Sequence, residues 1–177
     1  MTQSEHISPE LKEKRDRLLK RMRELGSCVV AFSGGVDSTT LAMAAFEALG
    51  ESAVAVTGVS ASSTAEEGED CREIADRIGI RHFILESSEM DDARYTDNDP
   101  DRCYYCKVVR LEEIVNFAKE NGLAYVVEGS NADDRGDWRP GAKAVEELGV
   151  LSPLAELELT KADIRALAKF WDLPNWD

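Results

Sequence analysis

Residues 32–39 combine glycines, hydroxyls and one acid in a pattern that can bind phosphate groups. The run is Phe-Ser-Gly-Gly-Val-Asp-Ser-Thr, and it lies between an apolar strand and a helix in the sequence pattern. Gly34 and Gly35 can take positive φ and let the backbone approach an anion. The free N–H groups of the helix start would then face that anion. The alternative is an ordinary glycine turn in which Asp37 and Ser38 only cap the helix.

The acid in this phosphate loop (residues 32–39) indicates that a cation is needed. Asp37 would repel phosphates unless a cation lay between them, and Mg²⁺ held partly by Asp37 resolves that conflict. Ser33, Ser38 and Thr39 add hydroxyl donors. The loop lacks the Gly-Lys-Ser/Thr of a Walker A loop and the Gly-x-Gly-x-x-Gly of a dinucleotide loop.

Strands and helices must alternate along the chain to position this loop. The pattern predicts helices at 8–25, 37–49, 65–78, 106–121, from about 141, and 160–171. Strands are predicted at 28–32, 53–59, 81–85 and 124–128, with an extended segment or short strand at 150–154. This alternation predicts an α/β, Rossmann-like parallel sheet with helices on both faces. Ligands in such sheets bind beyond the carboxyl ends of the strands, where the strand order reverses.

Length and charge limit the classes of function. The chain has 177 residues, which suits one domain. Its net charge of −14 argues against a nucleic-acid surface. Acids interrupt the basic run from Lys12 to Arg23, so we interpret it as a solvated helix face. No apolar run approaches the roughly 18 residues of a membrane span, and Met1 to Glu10 lacks the apolar core of a secretory signal. We expect a cytoplasmic protein with neither a membrane nor a nucleic acid as partner.

Two of the four cysteines lie three residues apart, in Cys103-Tyr-Tyr-Cys106. Such a pair is typical of half a metal or iron–sulfur site, of a redox pair, or of two free thiols. Two cysteines alone cannot fill the three or four positions that a cluster normally uses. Cys28 and Cys71 lie in apolar patterns and are predicted to be small core residues.

The segment Ser33-Gly-Gly-Val-Asp-Ser38 resembles the signature of the PP-loop ATP pyrophosphatases. With the further segments below, the chain resembles the LarE family of ATP-dependent sacrificial sulfur transferases from about residue 10 to its end. Those segments are Asn98–Lys107, Glu128–Asp134, Asp137–Ala144, Gly149–Glu156, Leu159–Arg165 and Leu173–Asp177.

That resemblance implies an adenine nucleotide alpha hydrolase-like fold and an enzyme that splits ATP into AMP and pyrophosphate with Mg²⁺. The implied substrate is a small nucleotide, a pyridinium dicarboxylate mononucleotide. Its carboxylate is adenylylated and AMP is then displaced by sulfur, during synthesis of the nickel-pincer nucleotide cofactor. The resemblance also implies a homo-oligomer.

The resemblance also implies roles for individual residues. Pyrophosphate would be held by Ser33, Gly34, Gly35, Val36, Asp37, Ser38 and Thr39. Ser60 would border the adenosine, and Gly129 would let the backbone pass close to the nucleotide. Asp133 or Asp134 would join Asp37 on the metal, unless both acids only form a turn or cap. Phosphate oxygens or the anionic substrate would be bound by Arg139, Lys143 and Lys161, although Lys161 could instead be a solvated first-turn residue. The catalytic set is then Asp37, Lys161 and Arg139.

The family continues beyond Leu173–Asp177, and a functional cysteine follows that segment. The resemblance implies a [4Fe-4S] cluster on Cys103, Cys106 and that further cysteine. We therefore expect residues 1–177 to form a single PP-loop ATP-binding domain without the family's C-terminal part. One rival is an iron–sulfur tRNA thiolase, which the acidic composition disfavours. The other is an ATP-binding module without catalysis.

Overall fold

Four parallel strands form a sheet within the part of the chain that this computed structural model describes, residues 7–59, 65–86, 102–134 and 140–177. They are β1 (Cys28–Ala31), β2 (Ala53–Val59), β3 (Arg81–Glu86) and β4 (Tyr125–Val127). The spatial order is β3-β2-β1-β4, and all three pairings are parallel. The strand order therefore reverses at β1, the strand that leads into the phosphate loop.

Helices connect and cover these strands. They are α1 (Pro9–Leu25), α2 (Val36–Leu49), α3 (Ala65–Ile78), α4 (Arg102–Glu120), α5 (Pro140–Glu147), α6 (Pro153–Glu156) and α7 (Lys161–Phe170). Short 3₁₀ turns occupy Gly50–Ser52 and Ala132–Asp134. Among the described helices, none is long and apolar enough to span a bilayer.

Alternating strand residues pack into two separate hydrophobic cores, one on each face of the sheet. On β1, Cys28 and Val30 pack into one core while Val29 packs into the other. The first core also contains buried residues of α1, α2, α3 and α7, and the second contains those of α4 and α5. Because side chains alternate across a strand, this division places helices on both faces. It confirms the predicted α/β fold.

Helix ends follow the predicted signals closely in two places. Ser8 accepts a hydrogen bond from the N–H of Leu11 at 3.1 Å, and Gly26 ends α1 with φ 76°. Thr160 and Asp163 form a reciprocal capping box that begins α7. Such caps satisfy N–H groups that the helix itself leaves without partners.

Two predicted boundaries were wrong. Helix α4 begins at Arg102, four residues before the predicted start at Cys106, so both cysteines of the pair belong to its first turns. The extended segment at 150–154 contributes only an isolated bridge from Leu151 to Val127. It is cut short because Pro153, whose fixed φ suits a first helical position, begins α6.

Candidate functional site

The phosphate loop joins β1 to α2 at the carboxyl edge of the sheet. Gly35 is the N-cap of α2, and its carbonyl accepts the N–H of Thr39 at 2.9 Å. The hydroxyl of Ser38 donates to the same carbonyl at 3.1 Å and lies 3.1 Å from the hydroxyl of Ser33. By helix geometry the N–H groups of the first turn have no partner inside the helix. The loop therefore places two hydroxyls and the N–H groups of the first turn together at a positive helix end.

Gly34 is the member of this loop that requires glycine on steric and conformational grounds. Its φ is 76°, in the left-handed region, and a Cβ there would lie 3.0 Å from the sulfur of Cys71. A side chain would therefore be both strained and crowded. The predicted reason for glycine at this position agrees with the geometry.

Asp37 and Lys161 form an ion pair beside the loop although 124 residues separate them in sequence. The Lys161 ammonium donates to Asp37 Oδ2 at 2.6 Å. The other oxygen, Asp37 Oδ1, is buried and has no hydrogen-bond partner among the described residues. A buried carboxylate oxygen without a partner is costly unless a ligand or ion occupies it. Lys161 is thus brought to the phosphate loop and is not an isolated surface lysine.

Gly129 follows β4 and abuts the start of α2. A Cβ there would lie 3.0 Å from the backbone nitrogen of Ser38 and 3.3 Å from Cβ of Asp37. Its φ is not in the left-handed region, so space alone favours glycine. We predicted a close approach of the backbone to the nucleotide. The observed close approach is to the phosphate loop itself.

A cavity of about 600 Å³ opens between this loop and helix α4. That volume lies within the roughly 300–1,000 Å³ of small-molecule sites. Its lining includes phosphate-loop residues and the ends of β1 and β2, together with Lys107, Arg110, Leu111 and Ile114 of α4. The cavity therefore combines the phosphate loop with two cationic and two apolar side chains of α4.

Glu128, at the end of β4, forms a second ion pair on the same cavity. Its carboxylate accepts hydrogen bonds from Ser130 N–H at 3.1 Å, Ser130 Oγ at 2.9 Å and Ser152 Oγ at 2.5 Å. The Lys107 ammonium approaches it at 3.3 Å. Glu128 is only 7% exposed, and a buried carboxylate is stable when paired and hydrogen-bonded in this way.

Buried hydrogen bonds from β2 and β3 hold the first residue of the phosphate loop. The Thr57 hydroxyl donates to the carbonyl of Phe32 at 2.7 Å and lies 2.7 Å from His82 Nε2. Since the single hydroxyl proton goes to the carbonyl, Nε2 of His82 must donate. Burial lowers the pKa of His82 and raises that of the nearby Cys71 thiol. Both groups are therefore held in their neutral forms.

Several predicted ligands lie behind the loop or serve as caps. Val36 packs against the first core, and the Thr39 side chain is fully buried. Neither is among the residues lining the main cavity, whereas Ser33, Gly35, Asp37 and Ser38 are.

Of the two acids predicted for the metal, Asp133 caps α7 by accepting the N–H of Lys161 at 2.8 Å. Asp134 lines the cavity, and its Oδ2 accepts the N–H of Asn131 at 2.9 Å. Within the described ranges, no three His, Cys, Asp or Glu side chains are grouped so that they could hold a metal ion.

For the remaining predicted residues the structure gives no contact with the cavity. Lys143 is exposed on α5, 3.6 Å from Glu147. Ser60 and Arg139 lie outside the described residues. The backbone of Cys103 and Cys106 lies in α4, but their side chains are outside the described part. Their roles stay predictions. The other two cysteines, Cys28 and Cys71, are buried free thiols, as predicted.

Lys107, Glu128 and Asn175 belong to the motif segments named above, but no contact with the cavity or the phosphate loop was predicted for them. Glu128 ends a strand just before a glycine, a position at the carboxyl edge that could have singled it out. Lys107 follows the cysteine pair, and its orientation depends on where α4 starts. Asn175 contacts the phosphate loop from 141 residues away, which no local pattern reveals.

The fold and the loop together define a PP-loop ATP pyrophosphatase domain. Residues 15–105 match the asparagine synthase family, and the chain belongs to that family. It is 42% identical over 94% of its length to an uncharacterized protein of Synechocystis, and 34% identical over 94% to the pyridinium-3,5-bisthiocarboxylic acid mononucleotide synthase of Lactiplantibacillus plantarum. The resemblance that the motifs indicated is thereby confirmed. The chain spans 62% and 61% of the lengths of these relatives.

Solved structures confirm the fold alone. The NMN synthetase of Francisella tularensis superposes with a TM-score of 0.76 over 97% of this chain and 75% of its own, at 20% sequence identity. At such identity the likeness shows a shared α/β architecture and carries no substrate with it.

Proposed function

We propose that this chain binds ATP in the cavity between the phosphate loop and α4 and splits it into AMP and pyrophosphate. The observation that carries the proposal is the loop itself, where the N–H groups and hydroxyls of a helix start lie beside a carboxylate with one unpartnered oxygen. ATP is an anion, so a chain with a net charge of −14 needs local N–H and hydroxyl groups of this kind to bind it.

The residues at the loop fit a magnesium ion. Mg²⁺ in nucleotide sites uses one or two carboxylates together with substrate phosphates, and Asp37 offers such a carboxylate on the cavity. Asp37 would hold the ion through its unpartnered Oδ1, with Asp134 on the same cavity as the second candidate. When bound, Mg²⁺ offsets the charge that develops on the phosphates.

Lys161 would supply a second positive charge beside the phosphate loop, through its contact with the cavity-lining Asp37. Its ammonium is 2.6 Å from Asp37 and 37% of the side chain is exposed, so it can reach a phosphate oxygen while staying near the carboxylate. The donors of Ser33, Gly35 and Ser38 would bind the leaving pyrophosphate. Stabilisation of this kind acts where negative charge increases during the reaction.

The acceptor we propose is a carboxylate of a pyridinium dicarboxylate mononucleotide, on the way to the nickel-pincer nucleotide. Its carboxylate oxygen would attack the α-phosphorus, and the bond to the bridging oxygen of the pyrophosphate would break. The resulting acyl adenylate gives the carbonyl carbon a leaving group, which sulfur later displaces. The 34% identity to the Lactiplantibacillus plantarum synthase supports this acceptor.

Three accompanying features stay predictions. The [4Fe-4S] cluster on Cys103 and Cys106 would be checked by iron and sulfide reconstitution of a longer homologue under anaerobic conditions. A homo-oligomer would be checked by sedimentation, and a cytoplasmic location by fractionation.

The decisive experiment measures pyrophosphate release from ATP and Mg²⁺ by the purified chain. The three arms contain no acceptor, the pyridinium dicarboxylate mononucleotide, or bulk tRNA. We expect release that depends on the mononucleotide. Release that requires tRNA would overturn the acceptor, and tight ATP binding without release in any arm would favour the non-catalytic module.

A further inference from the structure

The segment after α7 returns to the phosphate loop and contacts its outer side. Leu173 is buried in the first core, and Asn175 is half-buried beside Gly34. The Asn175 amide nitrogen donates to the carbonyl of Gly34 at 2.7 Å and to the hydroxyl oxygen of Thr39 at 3.0 Å. One side chain therefore connects the apex of the loop to the first turn of α2.

The orientation of the Gly34 carbonyl determines the direction of the Gly35 N–H. In a planar trans peptide the carbonyl oxygen and the N–H lie on opposite sides of the same unit. Asn175 and Gly34 also line a second hollow of about 340 Å³, whereas Gly35 lines the main cavity. Holding the Gly34 oxygen against Asn175 therefore turns the Gly35 N–H away from Asn175. On that side the N–H makes a long contact of 3.5 Å with the hydroxyl of Ser33, which lines both hollows, and this contact is weak enough for a phosphate oxygen to replace it.

Two consecutive glycines make this peptide easy to turn over. Gly34 has φ 76° and Gly35 has φ −71°, and glycine adopts either sign of φ at little cost. A flipped peptide would present a carbonyl oxygen to the phosphates in place of an N–H donor. Such an orientation would repel the anion that the loop has to bind.

The orientation of the Asn175 amide is fixed by its surroundings. Its nitrogen faces a carbonyl oxygen, which can only accept, so the amide oxygen cannot take that place. The remaining Oδ1 is buried without a hydrogen-bond partner among the described residues. Both amide protons are thus used on the phosphate loop.

We propose that Asn175 is a positioning residue that locks the Gly34–Gly35 peptide in its phosphate-binding orientation. This inference rests on the proposed binding of ATP in the main cavity. It predicts that variants of Asn175 lose affinity for ligands that carry a pyrophosphate group and keep their affinity for AMP. The proposed reason is that the loop binds the pyrophosphate part of ATP, whereas the strand ends border the nucleoside.

The test compares dissociation constants for ATP, inorganic pyrophosphate and AMP in the wild-type chain, Asn175→Ala and Asn175→Asp. Losing two hydrogen bonds should weaken ATP and pyrophosphate binding by about tenfold in Asn175→Ala. Asn175→Asp should weaken them further, because a carboxylate cannot donate and adds a negative charge. AMP binding should change by less than about twofold, because AMP lacks the pyrophosphate part that the loop would bind.

Asn121→Asp is the matched control. Its amide nitrogen donates to the Phe117 carbonyl at 2.8 Å, so the same bond type is lost and the same charge is added. It lies at the opposite edge of the sheet, where the neighbouring Ala124 contacts Ser27 just before β1. All three ligands should bind this variant as they bind the wild type.

Each failure has a separate signature. Unchanged ATP binding in both Asn175 variants would overturn the positioning role and leave ATP binding intact. An equal loss for ATP and AMP, together with a lower melting temperature, would show a general structural role instead. A wild-type chain that binds neither ATP nor pyrophosphate would overturn the proposed function, and the positioning role with it.

Discussion

Two lysine–carboxylate pairs have their carboxylates on the same cavity, and the two carboxylates differ in how they are used. At the phosphate loop, Lys161 contacts one oxygen of Asp37 while the other oxygen has no hydrogen-bond partner among the described residues. At the end of β4, Lys107 approaches Glu128, whose two oxygens also receive hydrogen bonds from two serines. The first carboxylate has capacity for a ligand, and the second is already satisfied.

The two carboxylates also differ in burial: the one with an unpartnered oxygen is the more exposed. The Asp37 side chain is 25% exposed, whereas that of Glu128 is 9% exposed. A buried, fully hydrogen-bonded carboxylate contributes to the architecture, because removing it leaves several donors without a partner. A carboxylate that keeps one oxygen without a hydrogen-bond partner can bind a cation through that oxygen. Proximity to a lysine alone therefore does not distinguish a site residue from a structural one.

The largest effect that would test this contrast is on turnover in Asp37→Ala. We expect pyrophosphate release in the presence of Mg²⁺ to fall by at least about 100-fold, roughly 3 kcal/mol of transition-state stabilisation. The free energy of unfolding should change by less than about 1 kcal/mol, because the pair with Lys161 is partly solvated. Steady-state release assays and urea denaturation measure the two quantities.

Glu156→Ala is the control for that variant. It removes the carboxylate of a pair with Arg21 at 3.0 Å, and its exposure resembles that of the pair at the loop. Release should stay at the wild-type level. Normal Mg²⁺-dependent release by Asp37→Ala would contradict the assignment of its carboxylate to the ion.

The next effect is on stability, in Glu128→Ala. Removing this carboxylate leaves Ser130, Ser152 and Lys107 without their acceptor, so we expect the free energy of unfolding to fall by about 2–3 kcal/mol. Glu69→Ala, which removes an exposed pair with Arg72, should change it by less than about 0.5 kcal/mol. Urea denaturation measures both variants. A Glu128→Ala chain as stable as the wild type would erase the distinction between the two carboxylates.

The fold was predictable because its signals are local. The caps at Ser8 and Thr160 and the apolar strand runs fix most elements within a residue or two. The errors lie where two local preferences compete. Pro153 begins a helix in a segment that apolar residues suggested would be extended, and α4 begins before the cysteine whose position marked its predicted start.

From the residue pattern alone, the site was predictable only where its members are contiguous in the sequence, and Lys161 was assigned only through the family resemblance. Ser33, Gly34 and Asp37 lie in one contiguous motif, and their placement follows from a strand leading into a helix. The partners of Glu128 come from α4, from the turn after β4 and from the segment before α6. Such contacts depend on tertiary packing, which no spacing within a motif encodes. Thr39 shows the converse, since its place in the motif suggested a ligand but its side chain is buried behind the loop.

Gly129 connects the two carboxylates, because it follows Glu128 and presses against the start of α2. A methyl group there would lie 3.0 Å from the Ser38 nitrogen and 3.2 Å from the Asp37 carbonyl carbon. Gly129→Ala should therefore shift the phosphate loop, lowering the free energy of unfolding by about 1–2 kcal/mol. ATP affinity should fall with it, because the displaced atoms belong to the anion-binding end of the cavity.

Gly68→Ala provides the matched comparison for that variant. Its added methyl group would meet only ordinary contacts of 3.8 Å with Ile84 and Val59, and alanine favours helix over glycine. We expect equal or greater stability and unchanged ATP affinity, measured by urea denaturation and calorimetric titration. If Gly129→Ala matched Gly68→Ala in both measurements, the loop could move away freely. The close approach would then not couple the structural carboxylate to the phosphate loop.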